Sequence, residues 1–345
     1  MSELTTKESE LDKVDWENVL IIKEYQKYLH ITDIIEISLL SKLIRQKLKL
    51  RLFESIKFNG RQFEKYFNSR DSLILGSFEF IKHYEMYFTV IGFDKSPYTG
   101  LKAEDALQEL EDDLINVKSS VKSFEFSYTS RIGYYLFPLL YIFDNLTRLK
   151  IFDCIIPLAE FCKLLKCLKL ENLDIVDSSF TKHPNEELTT EDIRFPNTLK
   201  VLSISTCNFC SDSFLLTLQK YLFGKANCNN ISDFKFPSAK IPSLVSFALK
   251  TIYSGDYGAS QFLLNNPQLE HLKIESDHLD QVKFDYISKS KTIKNLELIC
   301  TTIEHHQIAI STPPPKLESI KELRFYNVSD EIYYILKDIN VFFLT

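Results

Sequence analysis

Two cysteines, Cys207 and Cys210, stand in a C-x-x-C spacing, which zinc sites and thiol redox centres both use. A closed zinc site needs two further ligands. Cys228 follows 18 residues after Cys210 with no neighbour of its own, and His305 and His306 cannot both face one ion from the same short loop. A redox pair sits where a strand gives way to a helix, and Cys210 does precede a helical-looking run, residues 211–222. The carboxylates Glu109, Glu111, Asp112 and Asp113 crowd one charged helical stretch, the pattern of a solvated face rather than of an acid/base pair. No P-loop, dinucleotide fingerprint, zincin motif or nucleophile elbow occurs, and eight glycines leave little material for a phosphate-cradling loop. No catalytic residue, cofactor-binding residue or metal ligand is therefore assigned, no cofactor is expected, and the chain is not expected to be an enzyme.

The elements that hold these residues are better marked than any chemistry. Apolar residues make up 45% of the 345, enough for a substantial core, with 27 Phe. The net charge of −6 comes without a long Lys/Arg block, so neither a nucleic-acid nor a membrane partner is expected. The N-terminus is polar and acidic, without the apolar centre of a secretory signal, and the most apolar stretch, 132–143, is too short to span a bilayer. Seven irregularly placed cysteines then point to free thiols in a reducing compartment, cytoplasmic and/or nuclear.

A period runs through most of the chain. Leu199, Leu202, Ile204, Cys207 and Phe209 spell L-x-x-L-x-I-x-x-C-x-F, and Leu146, Leu149, Ile151, Cys154 and Ile156 repeat it. Further copies start at Leu170, Leu269 and Ile293, weaker ones at Val121, Leu244 and Ile320, and degenerate ones at Phe53 and Phe88. The starts 121, 146, 170 and 199 are 25, 24 and 29 apart; 244, 269, 293 and 320 are 25, 24 and 27 apart. Between copies, 158–168 and 211–222 have helical apolar spacing. One copy cannot fold alone: about four buried side chains at roughly 1.5–3 kcal/mol each do not offset the ordering of two dozen residues at about 1–2 kcal/mol each. Between 199 and 244 the step is 45 residues, and 224–240 reads as a loop insertion, with 231–236 a rival strand.

The frame resembles leucine-rich repeats of the cysteine-containing type over residues 52–345. That resemblance implies an α/β leucine-rich-repeat solenoid, a horseshoe of about ten repeats with parallel strands on its concave face, the first two repeats degenerate. It also implies that Cys154 and Cys207 turn inward at the strand exits and bond loop backbone. Before the repeats, after a flexible acidic tail at 1–13, residues 14–51 form two or three amphipathic helices. Val19, Ile22, Tyr25 and Leu29 make one stripe, and Asp33 with Glu36 resembles a capping box opening the next helix. Tyr28-Leu29, Asp33, Ile34-Ile35, Ser38-Leu39-Leu40-Ser41-Lys42 and Arg45 resemble an F-box, although Asp15-Trp16-Glu17 stands where that family has Leu-Pro.

The resemblance implies a substrate-recognition adaptor of a cullin–RING ubiquitin ligase. A Skp-type adaptor would dock on Trp16, Val19, Ile22, Leu29, Ile34, Ile35, Leu39, Leu40, Leu43 and Ile44. An unidentified protein client would lie on outward strand positions: Arg148, Lys150, Phe152, Asp174, Val176, His271, Lys273, Glu275, Glu297, Ile299, Arg324 and Tyr326. The alternative is a leucine-rich-repeat interaction scaffold unconnected to ubiquitin, in which the same helices cap the solenoid.

Overall fold

The structure is a computed structural model, and it describes residues 19, 22–59, 114–130, 137–182, 187–210, 231–250, 258–275, 281–299 and 319–326. The chain divides into two compact units, Met1–Ser55 and Ile56–Thr345.

The first unit is helical, with α1 at Lys23–Gln26, α2 at Ile31–Leu40 and α3 at Lys42–Leu52. The backbone N–H of His30 donates to the Asp33 carboxylate (3.1 Å) and opens α2, so the Asp33 signal works one turn earlier than a box with Glu36 would place it. Ser41 ends α2 in an extended conformation and caps α3, its Oγ accepting from the Ile44 N–H at 3.1 Å. Among the described residues of this unit Ile34, Ile44 and Leu48 are the fully buried apolar ones, with Leu29, Ile37 and Leu52 packed against them.

The second unit is a predominantly parallel sheet. Its main ladder runs β1 (Ser55–Asn59), β2 (Ser123–Ser130), the first half of β3 (Arg148–Pro157), β4 (Asn172–Val176), β6 (Val201–Ser205), β9 (Ser246–Lys250), β10 (His271–Glu275), β11 (Asn295–Ile299) and β12 (Glu322–Tyr326). Leu149, Leu173, Leu202, Phe247, Leu272, Leu296 and Leu323 are in register across it. One residue of each frame thus forms a row on the buried face. From β2 onward each junction of this ladder repeats one backbone pattern: the carbonyls of Lys122, Thr147, Glu171, Lys200, Val245, Glu270 and Lys294 each accept two successive N–H groups entering the next strand.

Short polar side chains just before the strands add rungs. Thr198, Ser243, Thr292 and Ser319 donate to the carbonyls of Leu170, Leu199, Pro267 and Ser290 at 2.7–2.8 Å. Within this unit the fully buried Asn266 ties the segment before β9 to the return segment after it. Its Oδ1 accepts from the Ile241 N–H at 2.8 Å, and its Nδ2 donates to the carbonyls of Ala239 (2.9 Å) and Phe262 (2.8 Å). The Phe content has a place as well, in ring contacts passing from Phe58 through Phe126, Phe137, Phe161, Phe180, Phe234 and Phe236 to Phe262.

A second ladder branches from the first. β3 continues past its frame, and Ile155–Pro157 pairs with β5 (Ser179–Thr181), which pairs with β7 (Asn208–Cys210). β7 then pairs antiparallel with β8 (Ile231–Asp233). The rival strand in the 224–240 stretch therefore exists, but in this second ladder, and β9 takes the place beside β6 in the first.

The expected leucine-rich-repeat horseshoe is corrected here. The sheet is open, neither closed nor strongly curled, and few helices flank it. A uniform coil needs comparable return segments, because their packing sets a constant rotation from repeat to repeat. Here the returns differ: the ten-residue α4 (Leu158–Cys167), a 3-10 turn at Thr190–Asp192, the seven-residue α5 (Ala259–Asn265) and the nine-residue α6 (Gln281–Lys289). The branch at β3 and its antiparallel end break the uniformity again. The expected copy at Phe88 and the helix at 211–222 lie outside the described residues.

Candidate functional site

The C-x-x-C pair is split between two surroundings. At the exits of β2, β3, β4 and β6 the residues Tyr128, Asp153, Asp177 and Thr206 are left-handed, with φ of 56, 52, 50 and 52°. After β3, β4 and β6 this turn points the next side chain back at the strand just left. Cys154 Sγ donates to the Phe152 carbonyl (3.3 Å), Ser178 Oγ to that of Val176 (2.8 Å) and Cys207 Sγ to that of Ser205 (3.3 Å). Ser178 Oγ also accepts from the Cys154 N–H at 3.2 Å, which links neighbouring turns. Burial, the largest influence, pushes the Cys207 thiol up to about 12, opposite to the lowered value that makes a redox cysteine reactive.

Cys210 has a separate role. It is buried at the end of β7, in register with Thr181 on one side and Ile231 on the other. Among the described residues no cluster of three or more His, Cys, Asp or Glu side chains is placed to hold a metal. Cys228, His305, His306 and the carboxylates at Glu109–Asp113 lie outside the described residues.

The expected docking residues of the helical unit separate into two faces. Ile34 and Ile44 are core, 1% and 2% exposed, because the α2–α3 packing needs them; this corrects their assignment to a partner surface. Val19 and Leu29 are half-buried. Ile22, Ile35, Leu39, Leu40 and Leu43 are exposed, with Leu39 and Leu40 at 67% and 70%. Trp16 lies outside the described residues. Ile31 and Leu50, which the sequence pattern does not single out, are exposed as well. Ile31, Ile35 and Leu39 recur every four residues along α2, a spacing that marks one helical face. Around these apolar residues α3 carries Lys42, Arg45, Lys47, Lys49 and Arg51 and no carboxylate.

On the open sheet face the outward positions alternate with the core as expected. Arg148, Lys150, Lys273 and Tyr326 are exposed, and Phe152, Asp174, Val176, His271, Glu297, Ile299 and Arg324 are half-buried. Glu275 is the exception: at the end of β10 it is 1% exposed, so it is withdrawn from a partner, which corrects its assignment. The register joins the others into rows, among them Lys150–Asp174 and Lys273–Glu297–Arg324. Tyr128, which a strict frame does not place on the face, packs edge-on to Phe152 at 4.8 Å.

No protein-family model matches the chain, and no curated protein matches it. The F-box-like leucine-rich-repeat assignment is accordingly corrected, together with the ubiquitin-ligase adaptor function and the repeat-scaffold alternative drawn from it. An open sheet with unequal returns and the lack of any family match both stand against them. Among the described residues no helix is long and apolar enough to cross a membrane.

Proposed function

We propose that this chain is a protein-binding protein without catalytic chemistry of its own, and that its helical unit offers a docking surface to a protein partner. One observation carries the reading. Of the described residues, nine large apolar side chains between Ile22 and Leu50 are exposed: Ile22, Tyr25, Tyr28, Ile31, Ile35, Leu39, Leu40, Leu43 and Leu50. Among the described residues the unit's own core is built from Ile34, Ile44 and Leu48 with Leu29, Ile37 and Leu52 against them, and uses none of these nine. Scattered apolar residues on a surface are ordinary, but this concentration within one small helical unit marks an interaction site. The net charge of −6 favours a protein over a nucleic acid. A reducing compartment, cytoplasm or nucleus, is part of the proposal, supported by Cys154, Cys162, Cys167, Cys207 and Cys210, none of which is in a disulfide.

The test is affinity purification of the full chain with quantitative mass spectrometry, beside the double variant Leu39→Asp/Leu43→Asp. Both positions are exposed, so the variant is expected to keep its circular dichroism spectrum and melting temperature while losing a stoichiometric partner. If the wild type retains no partner, or the variant retains the same one, the reading fails.

A further inference from the structure

We propose that the corner of the open sheet face built by β2, β3 and β4 binds an extended segment of a partner protein with two carboxylates at alternate positions followed by an aromatic or large apolar side chain. The proposal rests on reading the chain as a protein-binding protein, but not on the helical docking surface.

The two halves of the sheet face differ in how their charges are used. On β10–β12 the charges satisfy one another: Lys273 pairs with Glu297 at 3.0 Å, and Arg324 pairs with Glu297 at 3.4 Å and with Glu322 at 2.5 Å. Lys273 also lies over the Tyr326 ring at 5.5 Å. On β2–β4, Glu125 is paired with Lys57 (3.4 Å), whereas Arg148 and Lys150 are exposed and form no ion pair among the described residues. Their neighbour Asp174, opposite Lys150, forms none either. This corner therefore has cationic groups still to be paired, which the other half does not.

An independent feature marks the same corner. At the strand exits the left-handed position is filled by Asp153, Asp177 and Thr206, and at β2 by Tyr128. Asp tolerates this conformation, and the Thr206 hydroxyl is held by the Asp177 N–H at 3.0 Å. Tyr128 shares this strain with the β-branched Thr206, and strain of this kind points to function when the surroundings enforce it. At β2 the left-handed residue coincides with a bulge: the β2–β3 register shifts between Ser127 and Ser130. Bulges re-aim side chains, and here the result is the edge-to-face contact of Tyr128 with Phe152.

Spacing then specifies the ligand. Arg148, Lys150 and Phe152 occupy alternate positions of one strand, so their side chains are spaced by about 6.6–6.8 Å along one face. An extended segment lying along β3 presents its own alternate residues at the same interval. Two carboxylates two residues apart meet Arg148 and Lys150, and the next residue of that face meets the Phe152–Tyr128 pair. Asp153, Asp174 and Asp177 nearby disfavour a continuous polyanion, which argues for a peptide with few charges over a nucleic acid.

The probes are labelled synthetic peptides with the pattern Glu-x-Glu-x-Phe in both directions, titrated against the full chain by fluorescence anisotropy at low salt. Controls replace both Glu by Lys or the Phe by Ser, and an oligothymidylate serves as the nucleic-acid control. Either peptide replacement is expected to weaken binding about tenfold or more, as is Arg148→Glu/Lys150→Glu, whereas Lys273→Glu should leave affinity unchanged. Tyr128→Asn is the decisive variant, because it should raise the melting temperature by relieving the left-handed Tyr yet weaken binding. Failure of every acidic aromatic peptide to bind would overturn the proposal. So would equal binding of the Lys-substituted set, tighter binding of the oligonucleotide at the same variants, or loss of stability in Tyr128→Asn. Leu39→Asp/Leu43→Asp should leave peptide affinity untouched, so failure here and failure of the helical docking surface are separable.

Discussion

At the scale of single residues, Cys207 shows how a chemical-looking motif becomes a structural one. Its thiol closes the turn after β6 as the Ser178 hydroxyl does after β4. The two groups play one part in successive frames, so Cys207→Ser is expected to cost no more than about 1 kcal/mol at neutral pH, the worth of one hydrogen bond. The pH dependence is where they should differ. In the fold Cys207 is raised from 9.0 to about 12 and Tyr286 from 10.0 to about 12, in both cases chiefly by burial. Above pH 9 the unfolded chain gives up protons that the folded chain keeps. The stability these groups contribute is complete below pH 9 and is lost as the pH rises toward 12, at about 1.4 kcal/mol per pH unit for each titrating group. Melting temperatures measured from pH 7 to pH 11 should fall along the alkaline limb, and Cys207→Ser should flatten the part beginning near pH 9.

At the scale of elements, the strands are held by their junctions as much as by their ladders. The rung from Thr198 to the Leu170 carbonyl spans 28 residues and joins one frame to the one before. Thr198→Val keeps the shape and removes the donor. It is expected to lower stability by about 0.5–1.5 kcal/mol, read as a shift in urea midpoint with an unchanged slope. Thr292→Val, at the matching rung to Pro267, should cost a similar amount, and because the two sites share no partner the effects should add. A greater-than-additive loss in the double variant would mean that the rungs are coupled through the sheet.

At the scale of the whole molecule, the two units rest on cores of very different size. The helical unit buries Ile34, Ile44 and Leu48, whereas the sheet unit buries a continuous set of apolar residues from Phe58 to Leu323. Local stability follows buried apolar contact. Native-state hydrogen exchange should therefore protect the central strands β4, β6 and β9 most, with the amides of α2 and α3 exchanging earlier through local opening. Equal protection in α2 and β6 would contradict this, unless a bound partner covers the helical face and contributes the missing contacts.

The sequence by itself determined the period and the inside of each strand. The pair Leu149/Ile151 and its counterparts Leu173/Ile175, Leu202/Ile204 and Leu296/Leu298 are buried at the spacing the frame marks, because alternation along a strand is a local property written into adjacent residues. It likewise showed that Cys207 belongs with Cys154 rather than with Cys210. Which apolar residues of α2 face inward was not legible: Ile34 and Ile35 are chemically alike, and only packing against Ile44 and Leu48 sorts one from the other. The burial of Glu275 and the contact of Tyr128 with Phe152 were hidden for the same reason, since a strand end and a bulge depend on neighbours distant in sequence. The architecture, too, was decided only in three dimensions. A repeated frame specifies that strands stack, but the rotation between them comes from the segments that return along the other side. Those segments differ here from one frame to the next, so the stacked strands form an open, branched sheet instead of a horseshoe.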